Sequence, residues 1–159
     1  MSQIIRLATI DDMPKVLELI RELAHFEHEE HQVEVTVEEL ERDGFGDKPA
    51  FTCFVGEIKG EVKGMALVYN RYSTWKGIVL HLEDLIVSQD MRGVGLGTKL
   101  LDEVVKYGHS LGVKRISWEV LDWNKQAIKL YEKKGAKVLR DWDVVQLDEQ
   151  GIKNYLSNK

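Results

Sequence analysis

One stretch of the chain, GIVLHLEDLIVSQDMRGVGLGTKLLDEVVKYGHSLG (residues 77–112), restricts the fold more than any other. It passes from the longest strand pattern through three alternating glycines, Gly93, Gly95 and Gly97, into a helix with Leu96, Leu100, Val104 and Leu111 on one side and Gly112 as terminator. A strand that feeds an amphipathic helix must lie in a layer the helix can cover, so this unit predicts an α/β packing around a sheet. Its neighbours extend the pattern. IIRLATI reads as a first strand, and Asp11 or Asp12 caps a helix carrying Val16, Leu17, Ile20, Leu23 and Ala24 at helical spacing. TVEELERDG is a short helix with Thr36 as N-cap, Glu39 as its capping-box partner and Gly44 as its stop. FTCFVGEI and VKGMALVYNRYS form a hairpin across the KGE turn. After the glycine loop and its helix come a strand at KRISWEV, a helix that starts at Asn124 and ends before Gly135, and a closing strand at WDVVQL. The expectation is one α/β domain over residues 1–159, with helices on both faces of a mixed, mostly antiparallel sheet.

Size and charge bound the function classes. A chain of 159 residues fits one domain, and one of about 150 buries roughly two thirds of its unfolded surface without a staple. A formal net charge of -5 and the absence of a basic tract argue against nucleic acid and favour a cationic or neutral partner. The single Cys53 allows no internal disulfide, and the N-terminal residues show neither a basic n-region nor a long apolar run. The reading is of a soluble cytoplasmic protein with no membrane contact.

Within residues 78–87 the apolar parity slips. It is even through Ile78, Leu80 and Leu82 and odd through Leu85 and Val87, with Glu83 and Asp84 at the change. Strand side chains alternate faces, so a slip suggests one extra residue, a β-bulge. The other reading is a strand buried on both faces with no bulge. A bulge would free backbone groups, and an extended ligand could pair with Leu85, Ile86 and Val87 like a missing strand, its anionic end meeting the glycines just beyond. Those glycines allow a close backbone approach, and amides at a helix start attract phosphate oxygens. Neither a Walker loop nor the dinucleotide fingerprint fits the spacing.

Arg92-Gly93-Val94-Gly95-Leu96-Gly97 resembles the Arg/Gln-x-x-Gly-x-Gly/Ala signature of the GNAT superfamily of N-acetyltransferases. The stretches ELAHFE, DGFGDKP, LHLEDLIVSQDMRGVGLG and WNKQAIKLYEKKGA look like its diamine (spermidine/spermine) and thialysine branch. The resemblance implies acetyl-CoA as cosubstrate, with its pyrophosphate on residues 92–97 and Thr98 and its extended arm along Leu85, Ile86 and Val87. It also implies cofactor contacts from Asn124, Ala127, Tyr131 and Lys133, direct attack by a primary amine of a small molecule, no metal, and a homodimer.

Amide formation needs a neutral amine, and an alkylamine of pKa near 10.4 is deprotonated in only about one molecule in a few thousand at pH 7. Glu83 is the expected base, directly or through a water, and Tyr131 the expected acid toward the departing thiolate. Phe26, Glu27, Trp75, Glu83 and Asp84 match positions around the branch's acceptor pocket, with Trp118 and Glu119 carried beside them. Ser73 and Arg140 stand where the branch has acidic residues, and an arginine can pair with a substrate carboxylate, which points to a lysine-like or thialysine-like acceptor. His25, His28 and His31 are read as a polar pocket rim rather than a metal site, Cys53 as a buried inert thiol, and Trp118 and Trp123 chiefly as core. Two rival functions stay open: a CoA-binding module without turnover, and an acetyltransferase acting on a protein lysine or N-terminus.

Overall fold

The computed structural model describes residues 2–158, which form two compact units divided between Glu119 and Val120. The first holds β1 (Gln3–Leu7), α1 (Met13–Phe26), α2 (Val37–Phe45), β2 (Thr52–Ile58), β3 (Glu61–Ser73), β4 (Gly77–Val87), α3 (Leu96–Leu111) and β5 (Ile116–Ser117). The five strands stand in chain order. The first four are antiparallel neighbours, and β5 joins β4 in parallel. The sheet is therefore mixed and mostly antiparallel, as expected.

Each face of the sheet is covered by the helices its side chains select. Met13, Val16, Leu17 and Leu19 of α1 and Leu40 of α2 pack with Cys53, Val55, Val62, Met65 and Ile86 in one buried cluster. The alternate residues turn to α3. There Gly56 and Gly64 leave room for Leu96 and Leu100, since a Cβ on Gly56 would stand 2.7 Å from Leu96 Cδ1 and one on Gly64 3.0 Å from Leu100 Cδ1. Arg6 binds both oxygens of Asp12, at 2.7 and 3.0 Å, and Glu57 at 3.3 Å, tying β1, β2 and the turn before α1. Its guanidinium holds the Asp12 carboxyl below the usual range.

Several local expectations are corrected. Asp12 stands at the N-cap of α1 but makes no side-chain cap bond there; its Oδ2 accepts from the Thr9 amide at 2.7 Å instead. The second helix begins as expected, with Thr36 Oγ1 accepting from the Glu39 amide at 3.2 Å, yet runs through Gly44 to Phe45. Gly44 serves packing rather than termination, because a Cβ there would lie 2.4 Å from Phe51 Cζ. Leu111 ends α3 46% exposed, outside its apolar stripe. The strand expected at KRISWEV shrinks to Ile116–Ser117, since only those two residues find a ladder on β4.

The second unit holds α4 (Lys125–Lys133) and α5 (Glu149–Ser157). The WDVVQL segment forms no strand. A strand pattern acquires stability only from pairing and burial, and Val144 and Val145 are 68% and 92% exposed. Trp123, read as core, is 48% exposed. The apolar pattern does not announce α5, because a glycine, an asparagine and a serine dilute it; Asp148 caps the helix, accepting from the Gly151 amide at 2.7 Å. Among the described residues no helix is long and apolar enough to cross a membrane.

Candidate active site

The parity slip in β4 is a bulge. Leu67 pairs with Asp84 and Val68 with Leu82, leaving Glu83 as the extra residue. Across the ladder, Tyr69 faces His81 and Leu67 faces Asp84; Leu67 packs against the α1–α2 cluster, so these pairs point to that face. Two residues opposing one thus bring adjacent carboxylates to the same side of a strand, where an unbroken strand would send them apart.

Both carboxylates open into a cavity of about 420 Å³ walled by Ile20, Leu23 and Ala24 of α1, by Glu27 at its C-cap, and by Glu29, Gln32, Val33, Glu34 and Val35 of the segment that follows. Its apolar floor suits an alkyl chain, and its volume lies within the range of small-ligand pockets. Five acidic side chains line it and no lysine or arginine does. Glu83 is exposed and Asp84 partly buried. Burial, then repulsion from Glu83 and Glu27, pushes the Asp84 carboxyl up to about 6. Burial, with Glu29 beside it, also raises Glu27. Crowded carboxyls in a partly dry cleft have a high affinity for positive charge.

The same bulge redirects the backbone. The Leu80 amide donates to the Arg115 carbonyl at 3.1 Å, toward β5, and the Ser88 amide to the Lys63 carbonyl at 2.7 Å, toward β3. Peptide groups alternate edges along a strand, so Leu85 and Val87 present theirs away from β3; the Val87 carbonyl accepts there from Arg92 Nε at 3.2 Å. The pairing with β5 stops at His81. Beyond it, among the described residues, this edge of β4 has no strand partner.

That edge runs into the glycine loop. Gly93 and Gly95 have φ of +82° and +88°, and a Cβ on either would meet nothing within 4 Å. The left-handed backbone and the clear space together let an outside group reach the amides. Gly95 is the N-cap of α3 and offers no side chain to it, so the first amides of the helix are available to an anion. The loop is braced from its sides: Gln89's amide donates to Glu22 at 2.9 Å, Gln3 Nε2 to the Val94 carbonyl at 2.7 Å, and Lys63 binds Asp90 at 3.1 Å. These features fit an extended, phosphate-bearing ligand such as acetyl-CoA.

Of the other expected residues, Phe26 ends α1 with its ring under the Arg92 guanidinium, 5.2 Å away, and Glu27 lines the cavity. Trp75 sits in the β3–β4 turn, 77% exposed, and does not line it. Trp118 is half-buried and Glu119 exposed, just past β5. Leu85 and Val87 approach Gly97, whose Cβ would stand 3.8 and 3.5 Å from their side chains; Ile86 is buried on the opposite face and Thr98 lies in the first turn of α3. In the second unit Asn124 caps α4, its Oδ1 accepting from the Ala127 amide at 3.4 Å. Lys133 is exposed and Tyr131 half-buried, its phenol raised by burial. Cys53 is buried and its thiol pushed up to about 12, mainly by that burial, which makes it unreactive. His25 pairs with Glu30 at 2.5 Å and His31 with Glu29 at 3.5 Å; of these four residues Glu29 alone lines the cavity. Sequence reasoning missed Glu29 and Glu34 as cavity walls; the only signal was the acidic run EHEEHQVEVT after α1.

Comparisons with known proteins bear on the family and the fold. Residues 14–136 match the model of the acetyltransferase (GNAT) family. The chain is 42% identical over 145 residues to the thialysine N-epsilon-acetyltransferase of Mus musculus, covering 86% of this chain and 85% of that one. It is 36% identical over 139 residues to a human spermidine/spermine N(1)-acetyltransferase-like protein 1, covering 83% of this chain and 20% of that longer protein. Among solved structures, an integron cassette protein from the mobile metagenome of V. cholerae superposes with a TM-score of 0.78 at 19% identity, covering 100% of this chain and 99% of that one.

Proposed function

The chain belongs to the GNAT family of acetyltransferases, and we propose that it moves acetyl from acetyl-CoA to a primary amine at the end of a short alkyl chain that carries a second positive charge. Diamines, polyamines and lysine-like or thialysine-like amino acids all meet that description. The carrying observation is the cavity at the bulge, where five carboxylates and an apolar floor meet. Relatives named for thialysine and for spermidine/spermine support the same class.

Bound acetyl-CoA supplies the acetyl group as a thioester. Leu85 and Val87 offer the backbone groups for its extended arm, and residues 92–98 the amides for its diphosphate. Asn124, Ala127 and Lys133 are assigned further cofactor contacts from the resemblance alone. Glu27, Glu29 and Glu34 attract the cationic acceptor. Glu83, directly or through water, takes the proton that makes its amine a nucleophile. Asp84 shares that task, because a carboxyl near 6 holds a proton more readily at neutral pH than one in the ordinary range. Once the amine nitrogen bonds to the acetyl carbon the carbon–sulfur bond breaks and the sulfur takes a proton, a role the resemblance alone assigns to Tyr131. Phe26, Trp75, Trp118 and Glu119 keep their acceptor-side assignment by resemblance. The same reading makes the enzyme cytoplasmic and homodimeric; sedimentation tests the dimer.

A thiol-release screen tests the acceptor. Diamines, spermidine, lysine and thialysine are expected to outrun Nα-acetyl-lysine and lysine-bearing peptides by about tenfold or more in kcat/KM, the usual scale for losing one charge-assisted contact. Peptides winning would indicate a protein acetyltransferase, and coenzyme A uptake with no release from any amine a binding module. For Tyr131→Phe we expect kcat about tenfold lower with little change in KM for acetyl-CoA. That is mild for a lost general acid, because a thiolate whose conjugate acid lies near 8.5 departs tolerably unaided. Equal activity would remove Tyr131 from the mechanism.

A further inference from the structure

His81 stands in the otherwise apolar start of β4 and is buried, 5% exposed, yet the transfer chemistry has no use for it. Its Nδ1 lies 2.9 Å from Ser117 Oγ on β5, and its ring leans on the Tyr69 ring of β3, centroids 5.3 Å apart. Burial holds the imidazole below its ordinary range and outweighs the upward pull of Glu83 and Glu119, with Arg71 acting in the same direction as burial. A neutral ring keeps one donor and one acceptor nitrogen, so it can satisfy a hydroxyl in either sense.

Its place in the sheet gives the contact a purpose. The join between β4 and β5 consists of two pairs, Leu80 with Ile116 and His81 with Ser117. The second is the vertex at which the strands part, and the bulged Glu83 follows two residues later. So short a parallel ladder is a weak constraint on its own. We propose that the His81–Ser117 hydrogen bond is a positioning clasp that fixes where β4 leaves β5, and so sets the open edge at Leu85 and Val87 to receive an extended thioester arm. This rests on the reading that the edge holds coenzyme A. His81 touches neither reactant and acts through the backbone it anchors.

The test combines calorimetry with coenzyme A and steady-state thiol release. His81→Phe keeps the ring packing on Tyr69 and deletes the bond; Ser117→Ala deletes it from the other strand; His81→Asn returns an amide near the Nδ1 position. Each of the first two is expected to raise the Kd for coenzyme A about five- to tenfold, with kcat at saturation within about threefold. The double variant should be no weaker than either single one, since both remove the same contact. His81→Asn should recover to within about twofold of the parent. Parent-like binding by Ser117→Ala overturns the clasp, as does a double variant that multiplies the two losses, or an asparagine variant as weak as the phenylalanine one. If His81→Phe does not fold, the Ser117→Ala and His81→Asn pair decides. A parent that takes up no coenzyme A removes the premise, which is distinct from a binding parent whose variants bind equally well.

Discussion

Gly95→Val is expected to weaken coenzyme A binding by about a hundredfold or more, read by calorimetry on folded protein. Two costs combine. Gly95 holds φ +88°, and forcing an L residue into the left-handed region costs about 1–2 kcal/mol, more when it is β-branched. The new side chain would also fill the open space over the first amides of α3, where an anion must approach. The strain weakens binding only as far as the free loop relaxes out of the binding conformation, at most roughly tenfold by the usual 1.4 kcal/mol per decade; obstruction supplies the rest. Gly112→Val separates them, because Gly112 also has a positive φ, +72°, but closes the far end of the same helix. It should lower Tm while leaving the Kd near the parent's. Gly97→Ala should bind within about threefold of the parent, since its Cβ would find ordinary contacts at 3.5 and 3.8 Å. Equal affinity for the Gly95 and Gly112 variants would dismiss the loop as the diphosphate site.

The strand, loop and helix around this site were legible because each is written locally. A parity change between Leu82 and Leu85 has few physical explanations, and the bulge with Glu83 as its extra residue is the one the register adopts. Alternating glycines before an amphipathic helix likewise carry their own geometry. What escaped depends on partners distant in sequence. The lengths of β5 and of the expected last strand are set by how much ladder a neighbour offers, which VVQL cannot state. Nothing in the sequence marks Glu29 and Glu34 as pocket walls, and only the fold brings them into one cavity with Glu83 and Asp84. His81 looked like one more strand residue, because nothing nearby announces Ser117. Its place beside the bend points to Glu83 as base, whereas burial singles out its neighbour.

That neighbour gives the second large effect: Asp84→Asn should make the protein more stable at pH 8 and far less active. In the fold the Asp84 carboxyl lies at about 6, raised from 3.8, chiefly by burial and then by Glu83 and Glu27. A group whose pKa is raised on folding lends its stability below its unfolded value and loses it as pH climbs through the folded one, so above about 6 the ionised carboxylate opposes folding. A shift of that size bounds the cost at roughly 3 kcal/mol, and residual contact with water reduces it to about 1–2. Asparagine removes the charge and keeps the shape, so Tm should rise about 3–6 °C at pH 8 and hardly at all at pH 4, where the parent's carboxyl is protonated in the fold. The amide accepts no proton and leaves the incoming cation without its buried counter-charge, so kcat/KM should fall about a hundredfold, together with the acidic limb of the pH–rate profile. Thermal scans at both pH values and a thiol-release titration check the two halves separately. An asparagine variant as active as the parent would return the proton transfer to Glu83 alone. One no more stable at pH 8 would mean that Asp84 is not strained by its surroundings, and the cavity would then hold its cation by simple attraction, without a carboxyl prepared to accept a proton.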